Sequence, residues 1–396
     1  MEKTGACSIC GSINCKKHSM LLSNVRRVSE FSGSSPPEIF VGKWNYPHVY
    51  VGILSPQEHG NTEILSSQEL WHKNRLAMPE IVNLRSQLIY GRSQSNIKKV
   101  LSPESKTRFL STMQEVAMTS KPIGTEFILE KGIQENTEQE NSSPLINNAA
   151  QVKSVRLEDN PLINKKIDYL VNDTDAKSNI ALLELEKSNI PTSTLIKILS
   201  AGLLGLGNRR KLVPTRWAIT AVDDTLGKNK LKKIRYHQDI SEIQVFSAEY
   251  LGNHYEFLLL PDRFSFEVIE INTTSPETSF WHDYESFFGR KDYAESVTGA
   301  YYANRLALCE YLEKEHKQAT CIVFREISPE YTQSMGVGIL RQISREAFSK
   351  PSEKFTTLKD ALERIQSRIN LPLQQFTDKS IILKNYGKQK RLTGFI

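Results

Sequence analysis

The stretch that most restricts how this chain can fold lies near its amino terminus, Cys7-Ser-Ile-Cys10-Gly-Ser-Ile-Asn-Cys15-Lys-Lys-His18. So short a loop cannot bury a core of its own, and something other than apolar contact must hold it. Its spacing is C-x2-C-x4-C-x2-H. Three thiolates and one imidazole make a complete tetrahedral set for zinc and leave no position open for water or substrate. The expected ion is therefore structural Zn2+ on Cys7, Cys10, Cys15 and His18, with metal affinity supplying the folding free energy. Gly11 frees the loop to turn, and Lys16 and Lys17 would stand on a small rigid knob that could touch phosphate. Crowded cysteines of this kind fit a reducing compartment better than a disulfide framework does. Cys309 and Cys321 lie far away in apolar stretches and read as small core residues.

The rest of the chain is long enough for two or three cores. It has 396 residues, 39% hydrophobic and 24% charged, as in soluble globular proteins. No apolar run approaches the ~18 residues of a membrane helix, and the amino terminus lacks the apolar centre of a secretion signal. A cytoplasmic, nucleoid-associated protein with no membrane partner is expected. The net charge of +6 permits a nucleic-acid partner without establishing one.

The body reads as a mixture of strands and helices without regular βαβ alternation. Residues 39–42 and 49–53 read as strands on either side of Lys43-Trp44-Asn45-Tyr46-Pro47. Helices are predicted over 80–90, 98–118, 173–187 and 194–204, and a polar surface loop over 131–151. Trp217 to Val222 reads as a buried strand that stops at Asp223-Asp224. Further strands are predicted at 244–246, 255–260 and 264–271, the last two as a hairpin across Pro261-Asp262-Arg263. A long helix over 292–315 follows, then a strand at 320–324 and helices at 338–348 and 358–369. No internal repeat is visible. The fold class is α+β, a mixed sheet-and-helix body with a small amino-terminal zinc knuckle and a flexible carboxy-terminal peptide motif. The expected domains are 1–22, 23–280, a mainly helical 281–384, and a tail of 385–396.

That tail ends Gln389-Lys-Arg-Leu392-Thr-Gly-Phe395-Ile396, or Q-x-x-L-x-x-F-I. A single 3₁₀ turn puts Leu392 and Phe395 on one side, where both can enter one apolar pocket while Gln389 bonds at its edge. This is the pattern of a peptide that docks on the ring-shaped DNA sliding clamp, PCNA, and chain ends are where segments are free for partners. The last position is often aromatic in such peptides. Here it is Ile396, a departure expected to weaken docking without changing its mode.

Two constellations could carry chemistry. Asp223 and Asp224 at a strand end, joined by Glu267 or Glu270, would resemble the carboxylates with which nucleases hold Mg2+. A regular strand points Glu267 and Glu270 to opposite faces, so at most one can join the pair; solvated turn aspartates and a surface glutamate are the competing reading. The second constellation is basic and aromatic. It comprises Arg209, Arg210, Lys211 and Arg216, then Arg290 and Lys291 leading into the long helix that carries Tyr301, Tyr302 and Arg305. A helix start favours phosphate, and arginine with tyrosine suits a nucleic acid or a dinucleotide. The competing reading has Tyr301 in the core and the arginines paired with Asp292, Glu310 or Glu326.

Several motifs together resemble the archaeal Nre family of DNA repair proteins, of the NreA type. They are Pro36-Pro37 through Phe40-Val41-Gly42, Tyr46-Pro47, Leu212 through Asp223, Gly289-Arg290-Lys291-Asp292-Tyr293-Ala294, Gly299 through Leu306, and Arg325-Glu326-Ile327. The resemblance covers nearly the whole chain. It implies an amino-terminal metal site, often of four cysteines where this chain has His18 last, and a clamp-interacting carboxy terminus. It also implies a part in the response to DNA damage, with no settled reaction. Three hypotheses stay open: a DNA-binding repair factor recruited by the clamp, a metal-dependent nuclease or nucleotide-group transferase acting on DNA, and a zinc-stabilised adaptor with no DNA contact.

Overall fold

A computed structural model describes residues 25–26, 28–100, 107–136, 143–273 and 279–387. The expected zinc ligands (Cys7, Cys10, Cys15, His18) and clamp motif (Gln389, Leu392, Phe395, Ile396) lie outside these residues. The chain divides into two units: Met1–Leu226 with Gln333–Gly338, and Gly227–Thr332 with Ile339–Ile396. Each combines a mixed sheet with helices, the α+β organisation expected.

In the first unit the strands are β1 (Glu30–Ser35), β2 (Glu38–Val41), β3 (His48–Ser55), β4 (Ile89–Asn96), β5 (Ile123–Leu129), β6 (Gln134–Glu135) and β7 (Asn148–Leu157). They lie in the order β1-β5-β7-β4-β3-β2, with β6 on β7. β2 and β3 are the two strands predicted around Lys43–Pro47, paired antiparallel from Glu38↔Leu54 to Val41↔Val51. Val41, Val49, Val51 and Ile53 are fully buried along them. The polar stretch 131–151 is not one surface loop. Leu145, Ile146, Ala149 and Ala150 are buried, and β7 pairs parallel to β4 from Ile89↔Asn148. The polar composition of its first half hid this buried second half.

The helices of this unit are α1 (Gln68–Lys73), α2 (Met78–Ser86), α3 (Arg108–Met118), α4 (Lys165–Asn172), α5 (Ser178–Lys187) and α6 (Thr192–Ser200), and α7 (Thr215–Ile234) runs from it into the second unit. α2 stops at Ser86 because Ile89 and Tyr90 belong to β4. Thr107 caps α3, its hydroxyl accepting from the Leu110 N–H at 3.3 Å. The largest correction is α7, since Trp217 to Val222 is helical and not a strand. A continuous apolar run fits a buried helix as well as a strand. The decisive spacing is Ala218, Val222 and Leu226, four residues apart and all buried.

The second unit contains β8 (Gln238–Asp239), β9 (Ile243–Tyr250), β10 (Asn253–Leu260), β11 (Ser265–Asn272), β12 (Ser279–Glu285), β13 (Lys317–Gln318), β14 (Thr320–Ile327) and β15 (Glu353–Phe355). Its main sheet runs β12-β11-β14-β10-β9-β15. The predicted hairpin of β10 with β11 does not form. β14 lies between them, antiparallel to β10 and parallel to β11. All eight residues of β14 are buried, so it needs a neighbour on each edge and takes the central place. The hairpin turn falls one connection earlier, where Leu251 (φ 51°) and Gly252 (φ 70°) join β9 to β10.

Among the described residues five helices follow: α8 (Gly299–Glu315), α9 (Val337–Ser349), α10 (Leu358–Gln366), the short α11 (Gln374–Thr377) and α12 (Ile381–Asn385). One face of the sheet packs Leu258, Ile269 and Phe324 with Ile365, Phe376 and Ile382. An aromatic cluster joins Phe246, Phe257 and Tyr311 to Phe348, with ring centroids 5.0, 4.7 and 5.2 Å away. The helix predicted over 292–315 begins only at Gly299, so Arg290 and Lys291 do not lead into it.

Candidate nucleic-acid interface

Basic and aromatic side chains matter for binding only if the fold leaves them uncommitted. Arg210 is committed. Its guanidinium donates to the carbonyls of Gly205, Val171 and Asp173 at 2.8, 2.7 and 2.8 Å. Burial lowers its pKa, opposed by the nearby Asp173. It ties the loop after α6 to the end of α4. Arg209 and Lys211, on either side, are exposed, and Arg216 is partly exposed in the first turn of α7. None of these three side chains makes an ion pair among the described residues.

The second basic group is drawn into its own unit. Arg305 and Glu285 are each 2% exposed, and Arg305 Nη1 reaches both Glu285 oxygens at 3.2 and 3.0 Å. The Arg305 guanidinium also lies 5.7 and 5.3 Å from the Tyr301 and Tyr302 ring centres. Arg290 pairs with Asp283 at 2.9 Å and donates to the carbonyls of Tyr284, Asp292 and Tyr293. Asp283 accepts from the Ser296 and Val297 N–H groups at 3.1 and 2.6 Å, and the Tyr302 hydroxyl accepts from the Ala294 N–H at 2.8 Å. Burial, with Glu285 nearby, raises the Tyr301 pKa. These contacts pin the irregular segment before α8, and of its two basic side chains Lys291 is the exposed one.

The carboxylates are dispersed too. Asp223 and Asp224 are 0% and 6% exposed within α7, and each has an interaction partner. Glu267, fully buried on β11, takes the Ser380 hydroxyl and the Ile381 and Ile382 N–H groups, with His282 Nε2 at 2.7 Å. It thus satisfies the opening N–H groups of α12. Glu270 faces the other way and pairs with Arg325 at 2.7 Å. Among the described residues no group of three or more His, Cys, Asp or Glu side chains could hold a metal ion.

What the first unit does bring together is a set of acid-free segments. The Ile97 N–H donates to the Pro47 carbonyl at 3.0 Å and the Leu212 N–H to the Ile97 carbonyl at 2.9 Å. The Val41 N–H donates to the Thr215 hydroxyl at 2.9 Å. Residues 42–48, 96–100 and 207–217 are thereby neighbours, and they carry seven Lys or Arg and no Asp or Glu. Three large rings stand out of this surface: Trp44, Tyr46 and Trp217 are 50%, 44% and 45% exposed. Tyr46 and Trp217 lie 5.2 Å apart, and Lys43 Nζ sits 4.6 Å from the Trp44 ring centre. The sequence marked Arg209, Lys211 and Arg216, but Trp217 was hidden by the strand reading and Trp44 and Tyr46 by their place in a connection. The usable signal was two rings and a lysine in a turn that contains no apolar aliphatic residue.

Comparison with known proteins identifies the family. Residues 4–281 match the family described as "Archaeal Nre, N-terminal" and residues 285–395 that described as "Archaeal Nre, C-terminal". The chain belongs to the archaeal Nre family. It is 33% identical to the DNA repair protein NreB of Archaeoglobus fulgidus, over 92% of this chain and 91% of that one. It is 30% identical to the DNA repair protein NreA of Haloferax volcanii, over 88% and 85%, and 32% identical to NreA of A. fulgidus, over 91% of each. No solved structure matches this Nre chain. Among the described residues no helix is long and apolar enough to cross a membrane.

The division of the arginines has a measurable consequence. Arg305→Met leaves Glu285 buried without its partner and should lower unfolding stability by about 3–5 kcal/mol, read by urea titration. Arg209→Ala should stay within about 0.5 kcal/mol of the parent. An Arg305 variant of parental stability that lost DNA binding would make this arginine a ligand contact instead.

Proposed function

We propose that this chain is a DNA repair protein that grips DNA through the basic segments of its first unit and is recruited by the sliding clamp. The observation that carries the reading is the joining of 42–48, 96–100 and 207–217 into one basic surface. Lysine and arginine gathered from segments that themselves hold no Asp or Glu are an electrostatic footprint for a polyanion. The names of the relatives support the repair role. Arg209, Lys211 and Arg216 take phosphates on this reading, while Arg210, Arg290, Arg305 and Tyr302 hold the fold.

Recruitment rests on Gln389, Leu392, Phe395 and Ile396, whose spacing suits a one-turn docking peptide. At the other end, Cys7, Cys10, Cys15 and His18 have the donor set of a closed structural zinc site. Bound there, the ion would order the terminus and present Lys16 and Lys17. The nuclease reading, with Mg2+ on Asp223, Asp224 and Glu267, is weaker because all three carboxylates are buried and engaged. The transferase reading is weaker for the same reason, since Arg290, Arg305 and Tyr302 are spent on protein partners.

Binding to labelled DNA should fall steeply with salt. Replacing Arg209, Lys211 and Arg216 together by Ala should flatten the plot of log affinity against log salt by about 2 to 3. An unchanged slope would remove these residues from the interface. Product formation with Mg2+ or NAD would restore an enzymatic reading. Leu392→Ala with Phe395→Ala should abolish capture by the clamp and leave the unfolding midpoint unchanged; undiminished capture would end the recruitment idea.

A further inference from the structure

The rings on the basic surface say which form of DNA it is suited to. Intact duplex offers phosphates outward and keeps its base faces stacked on each other, so it gives nothing flat to an exposed indole or phenol. Unpaired nucleotides expose base faces, and base–aromatic stacking is tolerant of sequence because every base has one. Phosphate contact needs only cations, which Arg209, Lys211 and Arg216 already provide. Trp44, Tyr46 and Trp217 are superfluous to a duplex clamp and are costly to leave in water unless a flat apolar ligand covers them.

We propose that Trp44, Tyr46 and Trp217 form a stacking platform for unpaired bases, so that this surface prefers single-stranded or frayed DNA to intact duplex. The inference rests on the DNA-binding reading above and narrows its substrate. The platform is built into the fold. Asn45 takes a left-handed backbone (φ 62°), which asparagine tolerates, and its carbonyl accepts from the His48 N–H at 2.8 Å. The Gly42 N–H donates to the Tyr50 carbonyl at 2.8 Å, closing the base of the same turn. The Pro47 carbonyl is held by Ile97 and the start of α7 by Val41, so the rings stand on fixed backbone. Lys43 Nζ lies against the Trp44 ring, and Arg216 precedes Trp217 in the first turn of α7. That alternation of flat face and positive charge matches the alternation of base and phosphate along a single strand.

The test uses the full chain, a labelled oligodeoxythymidylate, and a duplex of equal length. The parent should bind the single strand more tightly than the duplex, with quenching of tryptophan emission that the Trp44 and Trp217 variants reduce; Trp71 is fully buried, and the partly buried Trp281 on β12 is a background common to all variants. Trp44→Ala and Trp217→Ala should each weaken single-strand binding about five-fold or more and alter duplex binding less than two-fold. Trp44→Phe and Trp217→Phe should restore most of the affinity, which a merely unfolded variant could not show. Equal affinity for both DNAs with no effect of the alanine variants would overturn the stacking platform and leave the DNA-binding reading standing. Failure of the parent to bind either DNA at low salt would overturn both.

Discussion

A charge taken out of water must be answered by an opposite charge or by several N–H groups, and much of this protein is arranged around that demand. In the first unit Arg85, fully buried, answers Glu38 at 2.7 Å and the Leu145 carbonyl at 2.8 Å. In the second, Arg305 answers Glu285, Arg325 answers Glu270, and the start of α12 answers Glu267. Removing any one partner would strand a carboxylate or guanidinium in a dry site. The same demand sorts the cations of the chain. Those that hold the fold together are unavailable to a ligand, and those left in solvent define where a polyanion can bind.

This sorting also explains what the sequence could and could not reveal. The strands around Lys43–Pro47 were legible because Ile39-Phe40-Val41 and Val49 to Ile53 are short apolar, β-branched-rich runs bounded by turn residues. The central strand β14 was legible by its length and apolar content, but not its place in the sheet. Sequence neighbours usually pair, and here a strand from some fifty residues later separates β10 from β11. Trp217 to Val222 misled for a simpler reason. Five apolar residues in a run of six carry no clear periodicity, and Leu226 four residues beyond Val222 extends the helical stripe.

The candidate site was legible only in part, for reasons of the same kind. A run of Arg209-Arg210-Lys211 shows positive charge but not that its middle member turns inward to three carbonyls. Arg290 and Arg305 look equally free in one dimension. Their partners Asp283 and Glu285 come from a strand whose pairing had to be known first. The contact between the turn at 43–47 and α7 joins residues about 170 positions apart through Val41 and Thr215. No local pattern announces such a contact, although each side of it holds a conspicuous aromatic residue.

The most direct test of the account is hydrogen exchange on the full chain with and without a single-stranded oligonucleotide. The account predicts slowed exchange in 42–48, 96–100 and 207–217, with the segment 283–305 unchanged. Protection in 283–305 with none in those three segments would contradict it, and would place the nucleic-acid contact at the arginines assigned here to the fold.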